Sequence, residues 1–166
     1  MAQDDFWSFA NQLYGEQEVA ETCLWLQDKQ GADVLMLLFC LWLGLRQGAV
    51  PDDTITALDR AATPWRQHVV LPLRATRRWL IQQRGAANHD LRAAVAAAEL
   101  CAEQHQGQLL TEALAELPAP PRAPGADAAR ANLERYCALA GAARGADLLA
   151  HLKLLTARAA RVTLDG

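Results

Sequence analysis

Apolar residues recur every three to four positions along most of this chain, which is the spacing of an amphipathic α-helix. Glycine, proline and short polar runs interrupt this spacing and mark the ends of helices. The predicted helices number about seven, and β-branched residues, which favour strands, are sparse. We therefore predict an all-α protein in which residues 1–166 form a single-domain helical bundle.

Residues 34–45 are apolar on every side of the predicted helix and carry no charge over twelve positions. A helix of that length rises about 18 Å, whereas a membrane-spanning helix needs about 20 apolar residues. A short apolar helix is typical of the centre of a bundle, where other helices surround it. Gly31 is predicted to end the preceding helix, and Asp33 to cap this one. The alternative is a helix that lies on a membrane surface or against an obligate partner.

Prolines mark two further features of the predicted bundle. Thr63 and Pro64 indicate the cap and first turn of a new helix. Pro72, inside that helix, should kink it or divide it in two. Residues 118–125 contain four prolines, which is typical of an extended and exposed linker.

The second and third predicted helices resemble the last two. At an offset of 114 residues, six of the eighteen positions from 23 to 40 are identical, and Asp33 falls on Asp147. Each unit corresponds to a helix, a glycine stop, an aspartate cap and a second helix, so each is predicted to be a helical hairpin. Asp127 is predicted to cap the helix that opens the second unit. Two explanations of the likeness remain open: a true duplication, or the glycine stop and aspartate cap that helical hairpins of this length share.

Charge is unevenly distributed along the chain. The net charge is −8 over residues 1–59, +6 over residues 60–92 and −1 over residues 93–166. The basic segment combines arginines with tryptophans, and guanidinium groups beside aromatic rings suit phosphates and stacked bases. The candidate binding residues are Trp65, Arg66, Arg74, Arg77, Arg78 and Trp79. The alternative is that these arginines pair internally with the acidic first third of the chain, or are simply solvated.

The sequence lacks the familiar signatures of catalysis and cofactor binding. It contains no glycine-rich phosphate loop and no zinc-protease or serine-hydrolase motif. Cys101 and His105 stand four residues apart, but a zinc site needs three or four ligands, and no second pair has suitable spacing. We therefore predict no metal, no cofactor and no catalytic residue, and an enzyme is not the first interpretation.

A set of aromatic, apolar and polar residues in the first half of the chain forms a family-like pattern. Its main members are Phe6, Trp7, Leu13, Tyr14, Cys23, Leu24, Leu26, Gln27, Asp28, Gly31, Asp33, Val34, Phe39, Trp42, Trp65, Arg66, Arg74, Arg77 and Arg78. Over residues 5–84 the chain resembles an uncharacterised family of short helical bacterial proteins, found mainly in gammaproteobacteria. The family pattern usually has an asparagine where this chain has Leu35. The resemblance implies an all-helical cytoplasmic protein and supplies no activity.

Three functional hypotheses follow. The first is a non-enzymatic adaptor or regulatory module whose basic face docks on an acidic protein partner, with arginines steering and tryptophans anchoring. The second is a nucleic-acid or anionic-ligand binder that uses the same residues, although an isoelectric point of about 5.8 disfavours nucleic acid. The third is a small-ligand-binding protein or enzyme with a pocket between helices. The acidic N-terminus lacks a signal-peptide pattern, which favours a cytoplasmic location.

Overall fold

A computed structural model describes residues 2–83, 88–121 and 123–162, which form helices joined by short connections. The helices are α1 (Ala2–Tyr14), α2 (Gln17–Gln30), α3 (Val34–Arg46), α4 (Asp52–Trp65), α5 (Leu71–Gln82), α6 (His89–Ala115), α7 (Ala126–Leu139) and α8 (Ala146–Val162). A π-helical turn, Arg66–Val70, joins α4 to α5 in one continuous rod. The described chain thus has seven helical rods and no strand, which confirms the predicted all-α fold.

Helix α3 lies at the centre of the bundle, as its apolar sequence predicts. Residues 35–44 are all buried, and α1, α2, α6, α7 and α8 pack around them. The predicted ends are also confirmed, because Gly31 adopts a left-handed φ of 70° after α2 and Asp33 Oδ2 accepts the Met36 backbone N–H at 3.1 Å. Among the described residues, no helix is both long and apolar enough to cross a membrane.

Helices α3 and α7 cross at very short distance. A Cβ atom added to Gly44 would stand 2.2 Å from the Ala129 Cα, so only glycine permits this approach. Next to the crossing, the fully buried Asn132 side chain accepts the Val50 backbone N–H at 2.9 Å and donates to the Gly48 carbonyl at 3.1 Å. The C-terminal helices are therefore fixed to the central helix by close backbone contact and by a buried amide.

The helix break predicted at Thr63 and Pro64 is wrong. The helix continues through both residues, and the irregularity lies at the π-helical turn, where the Leu71 backbone N–H bonds to the Arg66 carbonyl five residues earlier. This wider turn immediately precedes Pro72, which has no N–H to donate and whose ring would crowd an α-helical carbonyl. The chain therefore accommodates Pro72 by widening the helix rather than by ending it.

The two predicted hairpins are present, and α2 packs on α8 while α3 packs on α7. Their caps differ, however, and the caps predicted at Asp127 and Asp147 are wrong. Both aspartates are the second residues of their helices, where the positive end of the helix dipole stabilises their negative charge. Helix α7 ends at Leu139, before Gly145, which corresponds to Gly31 at the offset of 114 residues. It ends there because Gly141, at a φ of 78°, closes its last turn.

The proline-rich segment predicted as a linker connects α6 to α7. Its described residues, 118–121 and 123–125, form no helix and are mostly exposed, and residue 122 lies outside the described part of the chain. The Gly125 backbone N–H donates to the Gly44 carbonyl at 2.9 Å, so the end of the segment is fixed to α3. The segment thereby brings α7 to its close crossing with the central helix.

Candidate functional site

The structure places the six predicted binding residues in different environments. Three of them line one groove: Arg74, Arg77 and Arg78. Trp65 packs edge-on against His105 and donates its indole N–H to the Ala102 carbonyl at 2.8 Å. Arg66 belongs to a buried polar cluster described below, whereas Trp79 is 60% exposed. The structure therefore does not bring the six together on one face.

The groove has a volume of about 420 Å³ and lies between α1, α2, α3, α5 and α6. Its apolar side comes mainly from the first three helices and consists of Trp7, Ala10, Leu24, Val34, Leu35 and Leu38. Three large side chains of the lining remain partly exposed, with exposed fractions of 37% for Tyr14, 39% for Leu24 and 49% for Leu100. Partly exposed apolar side chains around a concave surface are typical of binding sites.

The charged side of the groove is formed where α5 faces α6. Arg74 donates through all three guanidinium nitrogens, from Nε to Glu99 at 3.0 Å, from Nη1 to Gln27 at 2.8 Å and from Nη2 to Glu103 at 2.7 Å. Arg74 thus ties three helices together. Arg77 donates to the same Glu99 carboxylate through Nε and through Nη2, the latter at 3.3 Å. One carboxylate therefore binds two guanidinium groups.

The pKa values of the ionisable groups in the groove shift in opposite directions. Burial alone would raise the pKa of Glu99, but the hydrogen bonds from Arg77 and Arg74 bring that pKa below its usual value. Burial raises the pKa of Glu103, and the hydrogen bond from Arg74, its one hydrogen-bond partner within the described residues, does not offset that rise. The pKa of Tyr14 is also raised, first by burial and then by the nearby Cys23 and Glu103. Glu99 is thus held as a carboxylate more firmly than Glu103.

A second polar cluster is buried behind the groove and is centred on Asp33. The Asp33 Oδ2 atom accepts the Gln106 side-chain N–H at 2.7 Å as well as the Met36 backbone N–H. The Asp33 backbone N–H donates to the Tyr136 hydroxyl at 2.8 Å. Burial raises the pKa of Asp33 above its usual value, although Arg66 acts in the opposite direction. The cluster joins the start of α3 to α6 and α7.

Arg66 closes the exposed side of this buried cluster. Its Nη1 atom lies 3.0 Å from Asp59 Oδ1 and 3.8 Å from Asp33 Oδ2, and its Nη2 donates to Thr63 at 2.9 Å. Arg66 is mostly buried. Its position and its partners thus give it a structural role within the fold.

Sequence reasoning missed Glu99 and Glu103, the partners of the groove arginines. The two glutamates stand four residues apart on an alanine-rich helix, so they share one face of it. That spacing could have indicated a shared acidic face, but the sequence does not indicate which helix this face packs against. The Gln27 side chain makes both a local and a distant hydrogen bond, because its N–H donates to Asp28 at 3.4 Å and its oxygen accepts from Arg74, 47 residues away.

Fold and site together define a class of protein: a helical bundle with a central apolar helix and a half-open groove that has one apolar and one charged side. The chain belongs to the family described as Protein of unknown function (DUF2390), which matches residues 5–110. This confirms that the chain belongs to an uncharacterised family, and the match extends beyond residue 84. No curated protein and no solved structure matches the chain. The matched region contains every described residue that lines the groove.

Proposed function

We propose that this protein binds a small organic molecule in the groove between α1, α2, α3, α5 and α6. The observation that carries the proposal is the lining itself, in which an apolar side and a charged side meet around about 420 Å³. Volumes of roughly 300–1,000 Å³ with a few convergent polar groups are usual for small-ligand sites. The fixed arginine–glutamate pairs supply polar groups that are already positioned, which lowers the entropic cost of binding.

The partly exposed apolar side chains add a second line of support. Tyr14, Leu24 and Leu100 each keep more than a third of their surface exposed around the groove. A bound apolar group would remove part of this surface from water, and each Å² removed contributes roughly 25 cal/mol. The groove therefore favours ligands with an apolar body.

The experiment uses Nile red, a neutral dye that fluoresces in apolar surroundings, with the full-length protein. We expect saturable fluorescence with a dissociation constant on the order of micromolar, which corresponds to about 8 kcal/mol of binding free energy. The Ala96→Trp substitution, at an exposed position that lines the groove, should reduce the fluorescence at least tenfold by filling the space.

The matched control is Ala97→Trp, at the next residue of α6, which is also exposed but does not line the groove. It should bind the dye as the wild type does. Dye binding that is absent from the wild type, or that Ala96→Trp and Ala97→Trp affect equally, would contradict the proposal. Far-ultraviolet circular dichroism of both variants verifies that they fold.

A second candidate function is docking on an acidic protein partner, and the exposure of Trp79 favours it. This side chain is 60% exposed and follows Arg78, whose only close ion-pair partner among the described residues is Asp28 at 3.8 Å. An exposed tryptophan beside a half-exposed arginine has the composition of a binding hot spot. The double substitution Arg78→Glu and Trp79→Ala should abolish recovery of a partner in affinity capture, while Arg130→Glu, on α7, should not. Equal recovery by both variants would exclude this candidate.

We also propose that the protein acts in the cytoplasm of a gammaproteobacterium. The free thiols of Cys23, Cys40 and Cys137 support a reducing compartment, because all three are buried as thiols in a chain with a large apolar core. Fractionation of cells that express the full-length protein tests the location. Recovery with the periplasmic fraction would contradict it.

A further inference from the structure

We infer that the ligand of the groove is an amphipathic organic anion, whose carboxylate or phosphate binds Arg77 and Arg78 while its apolar body lies against α1 and α3. The inference rests on the proposed function and adds a ligand class to it. It is carried by the distribution of hydrogen bonds among the groove arginines and by the balance of charge along the lining.

The three arginines of the groove differ in how many donors remain free. Arg74 uses each of its three nitrogens within the protein, so it is a fixed part of the wall. Arg77 uses Nε and Nη2 on Glu99, and within the described residues its Nη1 atom makes no hydrogen bond. Arg78 meets Asp28 only at 3.8 Å, and both side chains are about half exposed. Free guanidinium donors are therefore available at two adjacent residues of α5.

The charge balance of the lining favours an anion over a cation. Among the residues that line the groove, three guanidinium groups stand against two carboxylates, Glu99 and Glu103. Both oxygens of Glu99 are occupied by arginines, so this carboxylate has little capacity left for a cationic ligand. A guanidinium group offers planar, paired donors that match carboxylate and phosphate oxygens. The site is thus short of negative charge.

The apolar side of the groove specifies the rest of the ligand. Leu35 and Leu38 belong to the central helix, and Trp7 and Ala10 to α1, so this wall is a continuation of the core surface. An alkyl or aromatic group on this wall gains the free energy of leaving water, whereas an inorganic anion would gain none. The groove therefore selects molecules that join an anionic group to an apolar body.

The test compares three unbranched probes with the same number of carbon atoms: decanoate, decanol and decylamine. Isothermal titration calorimetry with the full-length protein at low salt should give a dissociation constant for decanoate at least tenfold lower than for decanol, with decylamine weakest. The double substitution Arg77→Gln and Arg78→Gln should remove this advantage of decanoate. Arg130→Gln, which removes a half-exposed arginine of α7 away from the groove, should leave it unchanged.

Decyl phosphate is the fourth probe, and it separates the two anionic groups. Tighter binding of decyl phosphate than of decanoate assigns the site to phosphate monoesters, and the reverse order assigns it to carboxylates. Equal affinities for decanoate and decanol, or tightest binding of decylamine, would overturn the inference. In those cases Nile red would still bind, and Ala96→Trp would still prevent it, so the proposed function would stand. Loss of Nile red binding as well would remove both.

Discussion

Two buried carboxylates, Asp33 and Glu99, are held in contrasting ways. Glu99 bonds directly to Arg74 and Arg77, and these charged donors lower its pKa. Asp33 accepts two neutral N–H groups, and its nearest guanidinium, that of Arg66, stands at 3.8 Å, so burial dominates and raises its pKa. At Glu99 the direct bonds from two guanidinium groups outweigh the effect of burial on the pKa, whereas at Asp33 the neutral donors and the more distant guanidinium do not.

The two carboxylates also belong to networks with different roles, one structural and one at the groove. The Asp33 cluster is enclosed, and its hydrogen bonds join the start of α3 to α6 and α7, which is the arrangement of a structural network. The Glu99 network lies on the wall of an open groove, and Arg77 keeps an Nη1 atom that makes no hydrogen bond within the described residues. Changes to the first network should therefore alter stability, and changes to the second should alter both stability and binding.

Among the predicted substitutions, Asp33→Ala should lower the free energy of unfolding most. This substitution removes the cap of α3 and leaves the buried Gln106 amide without its acceptor, so the free energy of unfolding should fall by about 2–4 kcal/mol. Urea denaturation followed by circular dichroism measures the loss. Asp33→Asn is the control, because its side-chain oxygen can accept both bonds, and it should lose much less. Equal losses in the two variants would contradict the assignment of Asp33 as an acceptor of neutral donors.

The second prediction concerns Glu99→Gln, which should lower the free energy of unfolding by about 1–2 kcal/mol at neutral pH. The amide keeps one acceptor for the arginines but loses the charge and presents a donor to Arg77. Because the pKa of Glu99 is lowered by folding, its contribution is present above its usual pKa and is lost as the pH falls through the lower, folded value. The difference between wild type and variant should therefore shrink on acidification.

Asp33 provides the opposite pH dependence and hence an internal control. Its pKa is raised by folding, so the native state binds a proton more readily than the unfolded chain does. The contribution of Asp33 is largest below its usual pKa and is lost as the pH rises through the raised value. The stability of the wild type relative to Asp33→Asn should therefore grow on acidification. The same direction of change for Glu99→Gln and Asp33→Asn would contradict the comparison of the two carboxylates.

Features encoded within a few residues could be predicted from the sequence, and these two networks show the limit. The buried central helix follows from an uninterrupted apolar run, and the Asp33 cap from a glycine stop two residues earlier, so both were predicted correctly. The partners of Arg74 lie 25, 29 and 47 residues away in the chain, on helices whose mutual orientation depends on packing. The chain therefore specifies its helices locally but assembles its groove only through tertiary contacts.

The third prediction is a moderate effect for Tyr136→Phe. The change removes one acceptor, that of the Asp33 backbone N–H, and keeps the shape of the buried ring, so the free energy of unfolding should fall by about 1 kcal/mol. Thermal and urea unfolding measure the change. Nile red binding to the folded variant should equal that of the wild type, because Tyr136 does not line the groove. A large loss of dye binding would mean that the enclosed cluster and the groove are coupled.

The smallest expected effect on stability belongs to Asp28→Asn. This substitution should change ligand affinity while leaving the free energy of unfolding nearly unchanged. Asp28 and Arg78 are both about half exposed and 3.8 Å apart, so the pair is screened by water and its loss should change the free energy of unfolding by less than about 0.5 kcal/mol. Removal of this competing carboxylate leaves Arg78 to the ligand, so decanoate should bind about two- to threefold more tightly at low salt. Glu112→Gln removes an exposed acid of α6 that does not line the groove, and it should leave the decanoate affinity unchanged. If both variants strengthen binding equally, the effect comes from net charge alone, and Arg78 has no particular role in the groove.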